Sequence, residues 1–377
     1  MSSLSAHFEL SRSGGSPNLR SMEGMRGFAV FLVFLAHYVT LVSPWIARNA
    51  GLEEFAEALH AIGNVGVDLF FVLSGYLIYR SIIGRKQDLF LFFQRRVDRI
   101  YPAFLVVFAL YLAISVLRPA DSKIVGAGVD ACVYVLQNLL LLPGLFSITP
   151  MITVAWSLSY EMMYYIAIPL LVALFQMRER SAQWRVRFFL IVACLIAGYS
   201  ALFAGHVRLI MFVSGILLHE ALRSRSLKSP GSAAAFAALI VALAVTVLPS
   251  SGSMAYTGKV IVLFVAFFIV CYSCFTRPGE WLAQRFSWAP LRWLGNMSYS
   301  YYLLHGLTLK IAFAVLAAKA STVADETVFF FLLLPVMFAV TLVPAAMLFL
   351  LVERPISLTS TKPRPSAARP VGAASHV

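Results

Sequence analysis

Four polar side chains interrupt long apolar runs in this chain: His37, Ser74, Glu161 and His305. An ionisable group in hydrocarbon is costly unless it is paired or faces a wet cavity, so each marks either a site or a contact between helices. An imidazole titrates near working pH and is suited to taking a proton from a hydroxyl, and a neighbouring carboxylate can orient it or share the proton. His37 lies twelve residues after Met25. At a rise of ~1.5 Å per residue that is about 18 Å into its helix, with Ser74 and His305 at similar depth and Glu161 about 10 Å below the opposite face. The four are therefore expected to meet near mid-membrane. Interhelical hydrogen bonding is the alternative reading of all four, and serine often sits where helices approach closely.

A second group is cationic: Arg26, and Arg95, Arg96 and Arg99 within Gln94-Arg95-Arg96-Val97-Asp98-Arg99. On a helix Arg96 and Arg99 share a face, and guanidinium forks aimed the same way suit phosphate groups. The same residues would also serve simply to orient the chain in a membrane.

The elements that position these groups follow from composition. Of 377 residues, 60% are hydrophobic and 12% charged, and the mean hydropathy is +0.83. Too few polar groups remain to cover a soluble globule, which points to an all-α integral membrane protein. Apolar runs predict about ten transmembrane helices, near 25–42, 62–79, 98–117, 154–175, 187–204, 208–222, 233–249, 258–275, 293–318 and 328–352. A shorter run near 129–150 carries Asp130, Gln137, Asn138, Pro143, Gly144 and Pro150, and is expected to be half-inserted or re-entrant.

If that run does not cross, the arginine-rich segments at 12–26, 80–99, 178–187, 223–228, 277–292 and beyond 353 all fall on one side. Arg48, Arg118, Lys123, Arg208, Lys259 and Lys319 fall on the other. The positive-inside rule then places both termini in the cytoplasm. The surplus of 30 Lys+Arg over 17 Asp+Glu is explained by this pattern, and no nucleic-acid partner is expected. The first 20 residues lack the apolar core of a secretory signal. A cytoplasmic tail is expected over 1–24, a single membrane domain over 25–352, and a disordered basic tail over 353–377. Four cysteines in or beside apolar runs argue against a disulfide framework.

Six motifs in order resemble the bacterial acyltransferase-3 membrane enzymes, which O-acylate surface polysaccharides, lipopolysaccharide O-antigen, nodulation factors, peptidoglycan and some macrolides. They are Glu23-Gly24-Met25-Arg26-Gly27 with ten residues between Arg26 and His37; Gly66-Val67-Asp68-Leu69-Phe70-Phe71-Val72-Leu73-Ser74-Gly75-Tyr76-Leu77-Ile78; and Arg95-Arg96-x-x-Arg99-Ile100-Tyr101-Pro102. The remainder are Trp156-Ser157-Leu158-Ser159-Tyr160-Glu161; Leu294-Gly295-x-x-Ser298-Tyr299-Ser300-x-Tyr302-Leu303-Leu304-His305; and Glu353-Arg354-Pro355. The family usually has Asp where Glu23 stands. Some members fuse this core to an extracytoplasmic hydrolase-like domain, which is not expected in this sequence.

The resemblance implies an enzyme of the bacterial cytoplasmic membrane that moves an acetyl or other short acyl group from acyl-CoA to a carbohydrate or lipid-linked glycan hydroxyl. Acetyl-CoA would be a substrate, and no permanently bound cofactor or metal is expected. Arg26, Arg95, Arg96 and Arg99 would hold its phosphates, with His37 as general base or acyl-accepting nucleophile and Glu161 fixing the imidazole tautomer. Ser74, Tyr76 and Tyr160 are candidate oxyanion donors. Trp156 and the cluster Tyr299, Tyr301 and Tyr302 are candidate sugar-stacking surfaces, or else packing. A membrane transporter or flippase is the rival reading, since buried charges and a broken helical element also occur there. It would lack thioester consumption.

Overall fold

The computed structural model describes residues 7–10, 17–84, 88–119, 122–224, 227–319 and 324–358. Its helices are α1 Pro17–Ile46, α2 Ala50–Ile83, α3 Leu89–Leu117, α4 Val129–Leu139, α5 Trp156–Leu174, α6 Ala182–Phe203, α7 Ile210–Ser224, α8 Ser232–Val247, α9 Gly252–Thr276, α10 Trp281–Phe286, α11 Ala289–Asn296, α12 Ser298–Lys319 and α13 Glu326–Leu348. A π-helical segment, Phe349–Leu358, continues α13. Among the described residues there is no strand, only an isolated bridge between Pro143 and Phe146.

Eight helices among the described residues are long and apolar enough to cross a membrane. The other two expected spans are α7 and α8, at 15 and 16 residues, or about 23 Å each. The run near 129–150 forms an 11-residue helix, α4, about 16 Å long and too short to cross. Beyond it the chain turns at Leu141 and Gly144, both with positive φ. Buried Asn138 ties this loop down: its Oδ1 accepts from Met151 N at 2.7 Å and its Nδ2 donates to Tyr134 O at 3.1 Å.

Helix starts follow side-chain caps. Asn49 accepts from Leu52 N at the start of α2, and Asp88 from Phe90 N at the start of α3. Two boundaries differ from expectation. Helix α1 begins at Pro17, ahead of residue 25, and Glu23 is buried in an ion pair with Arg292 at 3.0 Å. Ordered helix also runs past Glu353 to Leu358, because Glu353 is fully buried and paired; residues 359–377 of the expected tail lie outside the described residues. The expected single run at 293–318 is two helices, α11 and α12, meeting at Met297.

Helix α2 packs against α1, α5, α7 and α8. Its contact with α7 is backbone on backbone: a Cβ on Gly75 would collide with the Phe212 carbonyl oxygen, and one on Gly215 with that of Val72. Small residues permit this approach where lipid gives no hydrophobic drive. Gly75→Val is therefore expected to lower stability by about 1–3 kcal/mol or more, as overpacking does, read as a reduced melting temperature in detergent. Large exposed apolar side chains, such as Leu195 and Phe203 on α6 and Leu332 and Val343 on α13, make the outward surface. Buried charges are paired: Arg185 with Glu220, Arg208 with Asp68, Arg99 with Glu353.

Candidate active site

All four arginines singled out in the sequence line one cavity of about 440 Å³ between α1, α2, α3, α5 and α12. Each helix places its lining residues in the same order. Ser81, Phe92 and exposed Arg95 stand at the basic end; Arg26, Arg96, Arg99, Ser74, Glu161 and Tyr165 follow; Val67, Phe70, Ser157, Leu158 and Tyr302 close the inner end. From Ser81 to Val67 is about 21 Å along α2. The cavity is thus long and narrow, basic at one end and mostly apolar at the other.

The guanidinium groups of Arg96 and Arg99 are only partly satisfied. Arg96 lies 5.1 Å from the ring centres of both Phe92 and Tyr165 and donates weakly to Ser81 Oγ at 3.4 Å. Its buried Nε has no hydrogen-bond partner, and neither has Nη1 of Arg99. Donors left open in this way on a cavity wall are able to meet an acceptor held in the cavity. Glu161 accepts from Tyr165 OH at 2.5 Å and from Ser74 Oγ at 3.4 Å.

His37 and His305 are together but elsewhere. Their rings meet edge to face at 4.8 Å. His37 Nδ1 lies 2.9 Å from the Val33 carbonyl; because a carbonyl only accepts, Nδ1 carries the proton and Nε2 keeps its lone pair. His305 Nδ1 is likewise bound to the carbonyls of Tyr301 and Tyr302, at 3.0 and 2.9 Å. Its buried Nε2 has no hydrogen-bond partner.

The expected meeting of four groups is therefore two pairs, Ser74 with Glu161 and His37 with His305. Depth counted from residue 62 misplaced Ser74, because α2 starts at Ala50 and leaves Ser74 about 14 Å from its basic end. His37 is about 16 Å from Arg26 along α1, and His305 about 10 Å from Ser298 along α12. Between the pairs stands Tyr302. Its hydroxyl is 2.8 Å from Ser157 Oγ and 3.1 Å from the Val154 carbonyl, and its ring centre is 6.0 Å from Phe70 and 6.1 Å from His305. Tyr302 separates the cavity from His305, and His37 lies beyond His305.

His37 Nδ1–H donates to the Val33 carbonyl and not to Glu161. Three other candidates lie outside the cavity lining. Tyr76 accepts from Arg80 Nη1 at 3.0 Å and packs on Phe275. Tyr160 OH lies 2.6 Å from His206 Nδ1. Trp156 packs against Phe71 and Tyr160 beneath Arg208, whose guanidinium is 5.5 Å from its ring. Of the tyrosine cluster, Tyr299 and Tyr302 line the cavity and Tyr301 stacks on His305. Tyr165 was missed, although it sits one turn after Glu161 on the same face.

Comparison with known proteins agrees with these features. The acyltransferase-3 family model, described as an acyltransferase domain, matches residues 19–346. The putative peptidoglycan O-acetyltransferase YrhL of Bacillus subtilis is 27% identical over 371 residues, covering 89% of this chain and 54% of the relative. The acyltransferase MdmB of Streptomyces mycarofaciens is 26% identical over 385 residues, covering 93% and 95%. The O-acetyltransferase OatA of Staphylococcus aureus is 27% identical over 323 residues, covering 76% and 50%. The chain thus spans about half the length of YrhL and OatA. No solved structure matches it. With a family match over most of the chain, and the family's arginine and histidine motifs gathered around one cavity and one imidazole pair, this chain belongs to the acyltransferase-3 family.

Proposed function

We propose that this protein transfers an acetyl or other short acyl group from acyl-CoA to a carbohydrate hydroxyl, of peptidoglycan or a related glycan. The observation that carries the reading is a narrow cavity holding four arginines, two of them with open buried donors, whose inner-end residue Tyr302 packs on His305, itself in ring contact with His37. The peptidoglycan O-acetyltransferase name of YrhL supports the acceptor class. The basic end would face the cytoplasm of a bacterial cell, where acyl-CoA is made, with both termini on that side.

In this reading Arg26, Arg96 and Arg99 hold the donor's phosphates through charge-assisted hydrogen bonds, with Arg95 at the mouth drawing the anion in. The pantetheine arm runs past Ser74, Glu161 and Tyr165 and brings the thioester to the apolar end at Tyr302. His37 Nε2 then takes the proton of the acceptor hydroxyl as its oxygen attacks the thioester carbon; the carbon–sulfur bond breaks and CoA leaves as thiolate. The same geometry serves a two-step route, in which Nε2 accepts the acyl group and the hydroxyl removes it. Single-turnover release of CoA without acceptor separates the two, since only the acyl-imidazole route gives a burst.

The test is labelled acetyl-CoA supplied to membranes carrying the protein, with and without glycan strands. Acceptor-dependent CoA release with label in saccharide is expected. Movement of a solute with no thioester consumed would instead establish the transporter reading.

A further inference from the structure

We infer that Glu353 is the positioning residue for Arg99, fixing the direction of its guanidinium and through it the grip on the donor's phosphates; this rests on the acyl-CoA reading of the cavity. Glu353 does not line the cavity, and its carboxylate is fully buried behind it. Oε1 lies 3.0 Å from Arg99 Nη2 in an ion pair without hydrogen-bond alignment, while Oε2 accepts from Ser300 N at 3.1 Å and Ser300 Oγ at 2.5 Å. One carboxylate therefore joins α3 to the first turn of α12. Arg99 is engaged on its Nη2 side, and its buried Nη1, with no hydrogen-bond partner, is left for a ligand in the cavity that Arg99 lines.

The backbone explains how a residue past the end of the last long helix gets there. Phe349–Leu358 is π-helical, a wider turn that occurs most often at functional sites. Pro355 has no N–H to give to an α-helical ladder, and Phe349, fully buried and stacked 5.9 Å from Phe8, anchors the segment's start. A buried ion pair is weak support for stability, because apolar replacements of similar volume are often neutral. Its geometric consequence is larger. With Glu353 gone, Glu161 is the carboxylate left in the cavity lining, and an Arg99 that turned to it would lose its open donor. Held by Glu353, the guanidinium is preorganised.

The experiment measures acetyl-CoA affinity and KM against kcat, for the full-length protein in nanodiscs, in wild type, Glu353→Gln, Ser300→Ala, Arg99→Ala and the combinations with Arg99→Ala. Glu353→Gln is expected to raise KM about tenfold and change kcat by less than about twofold, the effect of one charge-assisted hydrogen bond misdirected. Ser300→Ala is expected to act in the same sense and more weakly. In the Arg99→Ala background neither substitution should raise KM further, because residues acting through one group are not additive. Equal effects with and without Arg99, or an unchanged or lowered KM in Glu353→Gln, would overturn the inference while leaving the acyl-CoA reading intact. A wild-type protein that neither binds nor turns over any acyl-CoA would remove both. Should Glu353→Gln fail to fold, the Ser300→Ala cycle against Arg99→Ala decides in the same way.

Discussion

Replacing His37 with alanine is expected to cut acceptor-dependent CoA release by about 10²–10⁴-fold, the usual contribution of a positioned general base. His37→Gln should be as inactive, because an amide nitrogen cannot take the proton even if it reaches the Val33 carbonyl. His305→Ala should cost less, about tenfold: His305 is bonded to its own helix and touches His37 edge to face, so its loss frees the catalytic ring without removing the base. Melting temperatures in detergent accompany each measurement. A His37→Ala protein that kept its activity and lost stability would show the residue to be interhelical packing, the alternative its burial allows. Acetyl-CoA affinity should barely change in either variant if the arginines hold its phosphates, since Arg26 lies about 16 Å from His37 along α1.

The second large effect concerns the donor. Arg96→Ala and Arg99→Ala are each expected to raise KM for acetyl-CoA by tenfold or more, corresponding to a charged hydrogen bond of about 1.5–3 kcal/mol, with kcat changed little. Lysine at either position restores the charge and not the fork, so Arg99→Lys should recover only part of the affinity. Arg95→Ala should do less than either, because Arg95 is exposed at the mouth and its field is screened by salt. Raising ionic strength should therefore mimic Arg95→Ala better than it mimics Arg99→Ala. If the variants instead bind acetyl-CoA normally but insert the wrong way round, as a reporter fused to the C-terminus would reveal, these arginines only orient the chain.

The histidine pair lies outside the cavity lining, and Tyr302 is the lining residue that packs on His305. Its hydroxyl is anchored to Ser157 and to the Val154 carbonyl. In the mechanism proposed above, donor and acceptor would meet at the apolar end of the cavity. An acylated intermediate or an activated thioester is protected from hydrolysis by such an arrangement.

Much of this was legible in the residues alone. Hydropathy is additive along the chain, so the membrane class, eight of the ten expected spans and the short run at 129–150 could be read without a partner in view. The face shared by Arg96 and Arg99 followed from helical spacing, and the gathering of both with Arg26 from the order of the motifs. What failed was depth. A helix such as α2 can extend past the apolar stretch that announces it, through Glu53, Glu54, Glu57 and His60, so a count from the first apolar residue placed Ser74 beside His37 when it belongs with Glu161.

Partners distant in the chain were equally hidden. That the Val33 carbonyl and not Glu161 accepts the His37 Nδ1–H hydrogen bond, that Glu353 reaches Arg99 across 254 positions from a π-helical turn, and that Tyr302 packs on His305 at the inner end of the cavity were settled by packing. Sequence by itself determined which solvent the chain uses and which chemistry its side chains can perform, because both depend on residue type and local period. Only the tertiary structure decided which of those side chains meet, because the rotation and offset of one helix against another depend on contacts, such as Gly75 on Phe212, that no local pattern encodes.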